Sequence, residues 1–231
     1  MRAGIPVVLA VLLLNSACDQ SDDSGPATGI SIDFATDRGW RGGQSDYSAD
    51  TAPEEVVFEE GATLPAPFSG TGLYSSGINR SDDLFLYATK RFDGLVPNQR
   101  YRVSFDLRIL TDVASGCVGV GGPPGEGVTV KAGASPIEPL TVETDGEFLM
   151  NIDKGNQVQS GADALALGNI ANSSTDCEQR SYEEKLLSST TPLVTETNAE
   201  GALWILFGID SGFESGSALY YLDAQVTATP L

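Results

Sequence analysis

The chain contains no histidine. That absence excludes Ser-His-Asp and Cys-His nucleophilic catalysis, histidine-ligated metals and imidazole acid–base chemistry. Basic residues are scarce too: 13 Lys+Arg stand against 32 Asp+Glu, for a formal net charge of −19. Such a chain has no electrostatic footprint for nucleic acid, so no nucleic-acid partner is expected, and an anionic lipid surface would repel it. None of Lys90, Lys131, Lys154 and Lys185 follows a serine at the S-x-x-K spacing of Ser-Lys enzymes. The glycine-rich stretch 119–127 lacks the G-K-[ST] ending of a phosphate loop, and Pro123 and Pro124 remove backbone donors that a phosphate cradle needs. No apolar run after the N-terminal one approaches membrane-spanning length. Carboxylate-pair chemistry survives these exclusions, because glycoside cleavage of that kind needs only two suitably spaced Asp or Glu residues.

What is present is a period of two. Residues 101–109 place Tyr101, Val103, Phe105, Leu107 and Ile109 on one face and Arg102, Ser104, Asp106 and Arg108 on the other, the alternation of a half-buried strand. Residues 84–89 form a second strand, and the wholly apolar run 203–207 reads as a strand buried on both faces, with Trp204 in the core. In residues 218–228, Tyr220, Leu222, Ala224, Val226 and Ala228 alternate with Tyr221, Asp223, Gln225 and Thr227. Weaker strands are expected at 30–35, 55–59, 127–132, 148–152 and 182–187, separated by loops that hold most of the 26 Gly and 12 Pro. Many short strands with Gly/Pro turns and little helical periodicity predict a single all-β sandwich domain over residues 30–231.

The N-terminus has its own pattern. Arg2 precedes an uncharged, mostly apolar run over residues 3–14, and Asn15-Ser16-Ala17 leads into Cys18. This is a secretory signal too short to span a membrane. With its cysteine after small residues it resembles the bacterial lipoprotein signal, although Asn15 stands where that signal commonly has Leu, Val or Ile. The resemblance implies cleavage after residue 17, lipidation of Cys18 and a lipid-anchored place in the bacterial cell envelope, facing the periplasm or the surface. The polar stretch 18–29 then reads as a flexible tether. With Cys18 given to lipid, Cys117 and Cys177 are left as a disulfide pair in an exported chain. Two thiolates without histidine cannot complete a zinc shell.

Three stretches resemble the galactose-binding-like jelly-roll fold of many carbohydrate-binding modules. They are Ile32-Asp33-Phe34 with Gly39-Trp40, Gly94-Leu95-Val96-Pro97-Asn98 running into Tyr101–Phe105, and Leu219-Tyr220-Tyr221-Leu222-Asp223. The resemblance implies a jelly-roll β-sandwich and a structural calcium ion shared by Asp33 and Asp223, whose hard oxygens suit it. Trp40 reads as a cap on the core, while Tyr47 is a candidate sugar-stacking ring. Residues 79–83, 119–125, 151–157 and 210–214 also resemble signatures of a family of uncharacterised bacterial lipoproteins, a likeness that implies no activity.

The polar loops are the candidate ligand site. Asn79, Asp82, Asn151, Asp153, Asn156, Gln157, Asp210 and Glu214 concentrate amides and carboxylates next to strands, a chemistry suited to sugar hydroxyls. We therefore expect a non-catalytic, lipid-anchored binding module whose partner is carbohydrate or another small polar ligand, with no membrane contact beyond the lipid. The alternatives are a carboxylate-dependent glycoside hydrolase or lyase, and a structural envelope lipoprotein that binds another protein.

Overall fold

The computed structural model describes residues 25–231, so the signal, Cys18 and the first part of the tether lie outside the described residues. Fifteen strands follow one another in the described chain: β1 (Thr28–Asp33), β2 (Arg41–Ser45), β3 (Tyr47–Ser48), β4 (Glu54–Thr63), β5 (Thr71–Ile78), β6 (Leu84–Phe92), β7 (Arg100–Thr111), β8 (Val128–Ser135), β9 (Thr141–Thr144), β10 (Glu147–Met150), β11 (Ala164–Asn169), β12 (Glu183–Ser188), β13 (Leu193–Glu196), β14 (Leu203–Ser211) and β15 (Gly216–Pro230). The one helical element among them is a 3-10 turn at Ala49–Thr51.

The strands form a jelly-roll β-sandwich. A seven-stranded sheet runs β12-β7-β15-β5-β4, with β1 added to β15 and β13 to β7. A five-stranded sheet runs β11-β8-β14-β6-β2, and a small third sheet pairs β3, β10 and β9. The expected inner face of β7 is the inner face found: Tyr101, Val103, Phe105, Leu107 and Ile109 are all buried. They meet Leu203, Ile205, Phe207 and Ile209 of β14 in one apolar cluster. Burying each such side chain contributes about 1.5–3 kcal/mol. Trp40 caps this core as expected, 5.0 Å from the Phe34 ring and 5.8 Å from Phe207.

Two expectations need correction. Trp204 lies on the outer face of β14, half exposed, with the Arg41 guanidinium 5.0 Å from its ring. In β15, Leu222 is an extra residue, because Tyr221 pairs with Ile109 and Asp223 already pairs with Arg108. This β-bulge shifts the phase of the alternation. Tyr221 is therefore in the core and Tyr220 points out, the reverse of the sequence expectation.

The outer face of the five-stranded sheet is itself covered. All eight residues of β8 are buried. Ile152, from the segment after β10, packs on that face with Phe85, Tyr87, Ala164 and Leu206 in a second apolar cluster.

Candidate functional site

The polar loops singled out from the sequence come together in part, but they bind one another. Gln157 donates its backbone N–H to Asp210 Oδ2 at 2.9 Å and its side-chain amide to the Asp82 carbonyl at 3.1 Å. Asn156 Nδ2 donates to Asp83 Oδ2 at 3.1 Å. Asn79 is 2 % exposed and donates to the carbonyls of Ser211 (2.7 Å) and Phe213 (3.1 Å). Asn151 closes a separate loop: its Oδ1 accepts the Leu140 N–H at 2.8 Å, and its Nδ2 donates to the Glu138 carbonyl at 2.9 Å. Asp153 accepts the N–H groups of Ala162 (2.9 Å) and Gly155 (3.0 Å), which lower its pKa. Glu214 is anchored by its own N–H on the Val120 carbonyl at 2.9 Å, with its side chain exposed. Most of these groups thus clamp loops. Asn79 and Asp210 are buried and are taken out of any ligand-facing role.

Asp33 and Asp223 are register partners on β1 and β15. Asp33 accepts the Ala35 N–H at 2.9 Å and the Thr36 hydroxyl at 3.1 Å. Asp223 accepts Arg108 Nε at 2.8 Å, so a guanidinium already balances its charge. Among the described residues no group of three or more Cys, Asp or Glu is placed to hold a metal ion.

Asp210 belongs to a buried charge network that sequence reading missed. It lies on the outer face of β14, fully buried between Lys131 Nζ at 3.2 Å and Lys154 Nζ at 2.8 Å. Lys131 is itself fully buried and donates to the carbonyls of Lys154 (2.7 Å) and Gln159 (2.9 Å). Lys154 also reaches Asp46 Oδ2 at 3.0 Å and lies 5.0 Å from the Phe85 ring. Burial lowers the Lys131 pKa against the pull of Asp210. Burial opposes the Lys154 charge as well, but Asp210 and Asp46 outweigh it and its pKa rises. The one signal in the sequence was a lysine inside the apolar strand around Val130 and Ala132.

Asp83 completes the network. Burial and the neighbouring Asp210 charge push its pKa to about 7. Asp83 Oδ1 and Asp210 Oδ1 are both buried without a partner, and the two carboxyls lie within hydrogen-bonding reach. A proton on Asp83 would let its carboxyl donate to Asp210. The Asp83 and Asp210 carboxyls lie with the lysines and Asn156 beside a cavity of about 360 Å³ that is also lined by Asp46 and Glu147.

The shared proton has a consequence for stability. Native Asp83 keeps its proton up to about pH 7, whereas the ordinary aspartate value is 3.8. Between those limits the native state binds more protons than the unfolded state, so this group lowers stability as pH rises, and its loss is complete above about pH 7. Asp83→Asn keeps a donor toward Asp210. We expect it to flatten that slope and to leave the variant more stable than wild type at about pH 8. Equal slopes in urea titrations of the two proteins would show that no such proton exists.

The outer face of the seven-stranded sheet presents a different arrangement. Strand register aligns Glu59, Tyr74, Tyr220, Leu110 and Glu184 in one cross-strand row over β4, β5, β15, β7 and β12. The Tyr74 and Tyr220 ring centroids are 4.7 Å apart, and Tyr182 meets Tyr220 edge-on at 6.3 Å. All three rings are half-buried, and Leu110 is fully covered among them. The next row holds Asp223, Arg108 and Leu186, and the one after it Ser31, Gln225, Asp106 and Ser188. Its polar groups are fixed: Arg108 binds Asp223 and Glu184, Ser31 donates to Gln225 Oε1 at 2.6 Å, and Ser188 to Asp106 Oδ1 at 2.5 Å. A cavity of about 320 Å³ opens beside Asp112, two residues on from Leu110 and just past the end of β7, against Arg180 and the Cys117–Cys177 disulfide. Asp112 acts on both places, since its charge helps raise the Tyr182 and Tyr220 pKa values after burial.

No protein-family model matches the chain, and no curated protein sequence matches it. Among solved structures, the chain is similar to the xylan-binding module CBM15 at 10% identity and a TM-score of 0.39, over 87% of this chain and 97% of that one. It is similar to a mannan-recognising carbohydrate-binding module, TmCBM27, at 9% identity and a TM-score of 0.35, over 90% and 98%. It is also similar to the K1 cleaved adhesin domain of Lys-gingipain from Porphyromonas gingivalis W83, at 13% identity and a TM-score of 0.32, over 87% and 97%. The structures similar to this chain thus include carbohydrate-binding modules.

Proposed function

We propose that this chain is a non-catalytic carbohydrate-binding module of the bacterial cell envelope, lipid-anchored at Cys18, that takes its ligand on the tyrosine row of the seven-stranded sheet. The observation that carries this reading is the contiguous cluster of Tyr74, Tyr220 and Tyr182 on a solvent-facing sheet. Tyrosine rings offer apolar area to sugar C–H faces while keeping a hydroxyl for hydrogen bonds. The flanking polar groups are already held by their neighbours, so little side-chain entropy is lost on binding. Anchoring rests on the sequence around Cys18 alone.

Calorimetric titration of the mature protein with xylan and mannan oligosaccharides tests the reading. Tyr220→Ala is expected to weaken binding at least about tenfold. A ligand bound equally well by a Tyr74→Ala/Tyr220→Ala double variant of unchanged melting temperature would remove the platform. Running the titration with calcium and with chelator also tests the calcium ion expected between Asp33 and Asp223.

The protein-docking alternative has one observation in its favour: Val142 and Leu149, cross-strand partners on the β9–β10 hairpin, are 46% and 45% exposed. Such a pair is small beside the apolar patches that mark stable interfaces.

A further inference from the structure

The charges around the tyrosine row narrow the class of ligand it suits. Glu59 and Glu184 stand at the two ends of the row, roughly 19 Å apart at ordinary strand spacing, long enough for an oligosaccharide. The Asp112 carboxylate lies beside Tyr182 and Tyr220. Both nearby cations are already committed: Arg108 to Asp223 and Glu184, and Arg180 to Asp112 at 3.3 Å. A carboxylate or sulfate on a ligand would have to draw Arg108 away from two carboxylates, against the field of a chain whose net charge is −19. An ammonium group meets the opposite situation. It is attracted to the negative face of a tyrosine ring and to Glu59, which has no salt-bridge partner among the described residues, while Glu184 and Asp223 share the single charge of Arg108.

We infer that the tyrosine row selects a glycan carrying free amino groups, a deacetylated hexosamine chain, and rejects uronate and sulfated chains. This rests on the platform reading above. Burial and Asp112 push Tyr182 up to about 12, in keeping with a negative potential beside that ring.

The test is calorimetric titration of the mature protein with glucosamine oligomers, with their N-acetylated counterparts and with oligogalacturonate. At low salt the amino form is expected to bind about tenfold more tightly than the acetylated form, with no binding of galacturonate. The advantage should fade by ~0.5 M salt, where exposed charges are screened. Glu59→Gln should shrink it several-fold, and Tyr220→Ala should weaken binding of both glucosamine forms. Galacturonate binding as tight as glucosamine, or amino and acetylated forms within twofold at low salt, would overturn the inference. Binding of xylan or mannan alone, dependent on Tyr220, would overturn it while leaving the platform standing. Glucosamine binding indifferent to Tyr220→Ala would bring down the platform reading as well.

Discussion

Asp210→Ala is expected to cost the fold about 3–5 kcal/mol, because it leaves two buried lysines without their shared carboxylate. For a domain of this size that corresponds to a fall in melting temperature of roughly 6–20 °C. The magnitude follows from burial. Lys131 and Asp210 have fully buried side chains and that of Lys154 is 5% exposed, so water cannot replace the lost partner. Asp83 would lose the acceptor for its proton at the same time. Asp210→Asn, which keeps an oxygen for the lysines, should fall between the alanine variant and wild type. Calorimetric melting of the three proteins decides the matter, and a change of only a degree or two for Asp210→Ala would show that the network contributes little. Any effect of the alanine variant on ligand binding should follow from this loss of stability, because Asp210 faces away from the tyrosine row on the other sheet.

The disulfide is the second strong constraint. Cys117 and Cys177 are bonded, with Cα atoms 5.7 Å apart and a sequence separation of 60. In the chain-entropy model a loop of that length contributes roughly 3–5 kcal/mol. Reduction, or Cys117→Ser with Cys177→Ser, is expected to lower the melting temperature by a similar margin to Asp210→Ala. It should also weaken glycan binding, because the bond ties down the segment that leads from Cys177 through Arg180 to Tyr182 at the edge of the platform. Non-reducing mass spectrometry of the folded protein checks the bond. Melting and titration with and without reductant then separate its two roles. Binding that survives reduction in a protein destabilised as expected would mean that Tyr182 is held by the sheet alone.

The all-β class and the disulfide partners could be argued from the sequence, because strand alternation and the small number of cysteines are read from residue type and order. The β7 face was legible for the same reason: an unbroken alternation from Tyr101 to Ile109 needs no knowledge of its partner strands. β2 was not legible, because its core-side and outer contacts are made by other residues. A Cβ on Gly42 would lie 2.3 Å from the Phe58 ring of β4 in the other sheet, and one on Gly43 2.3 Å from Tyr87 of the paired β6, so aromatic rings occupy the space that an apolar pattern would have shown. The candidate site was hidden by the same kind of non-local effect. A single extra residue, Leu222, exists as a bulge only relative to β7, yet it decides that Tyr220 joins the platform and Tyr221 the core. Likewise, Lys131 and Asp210 would be solvent-facing residues on a sheet with one bare side. Only the packing of the segment after β10 onto that face turns them into a buried ion pair. Period and composition are local properties of the chain, so they carried the fold class. Register and the covering of a sheet face depend on residues far away in sequence, and these decided which side chains could meet a ligand.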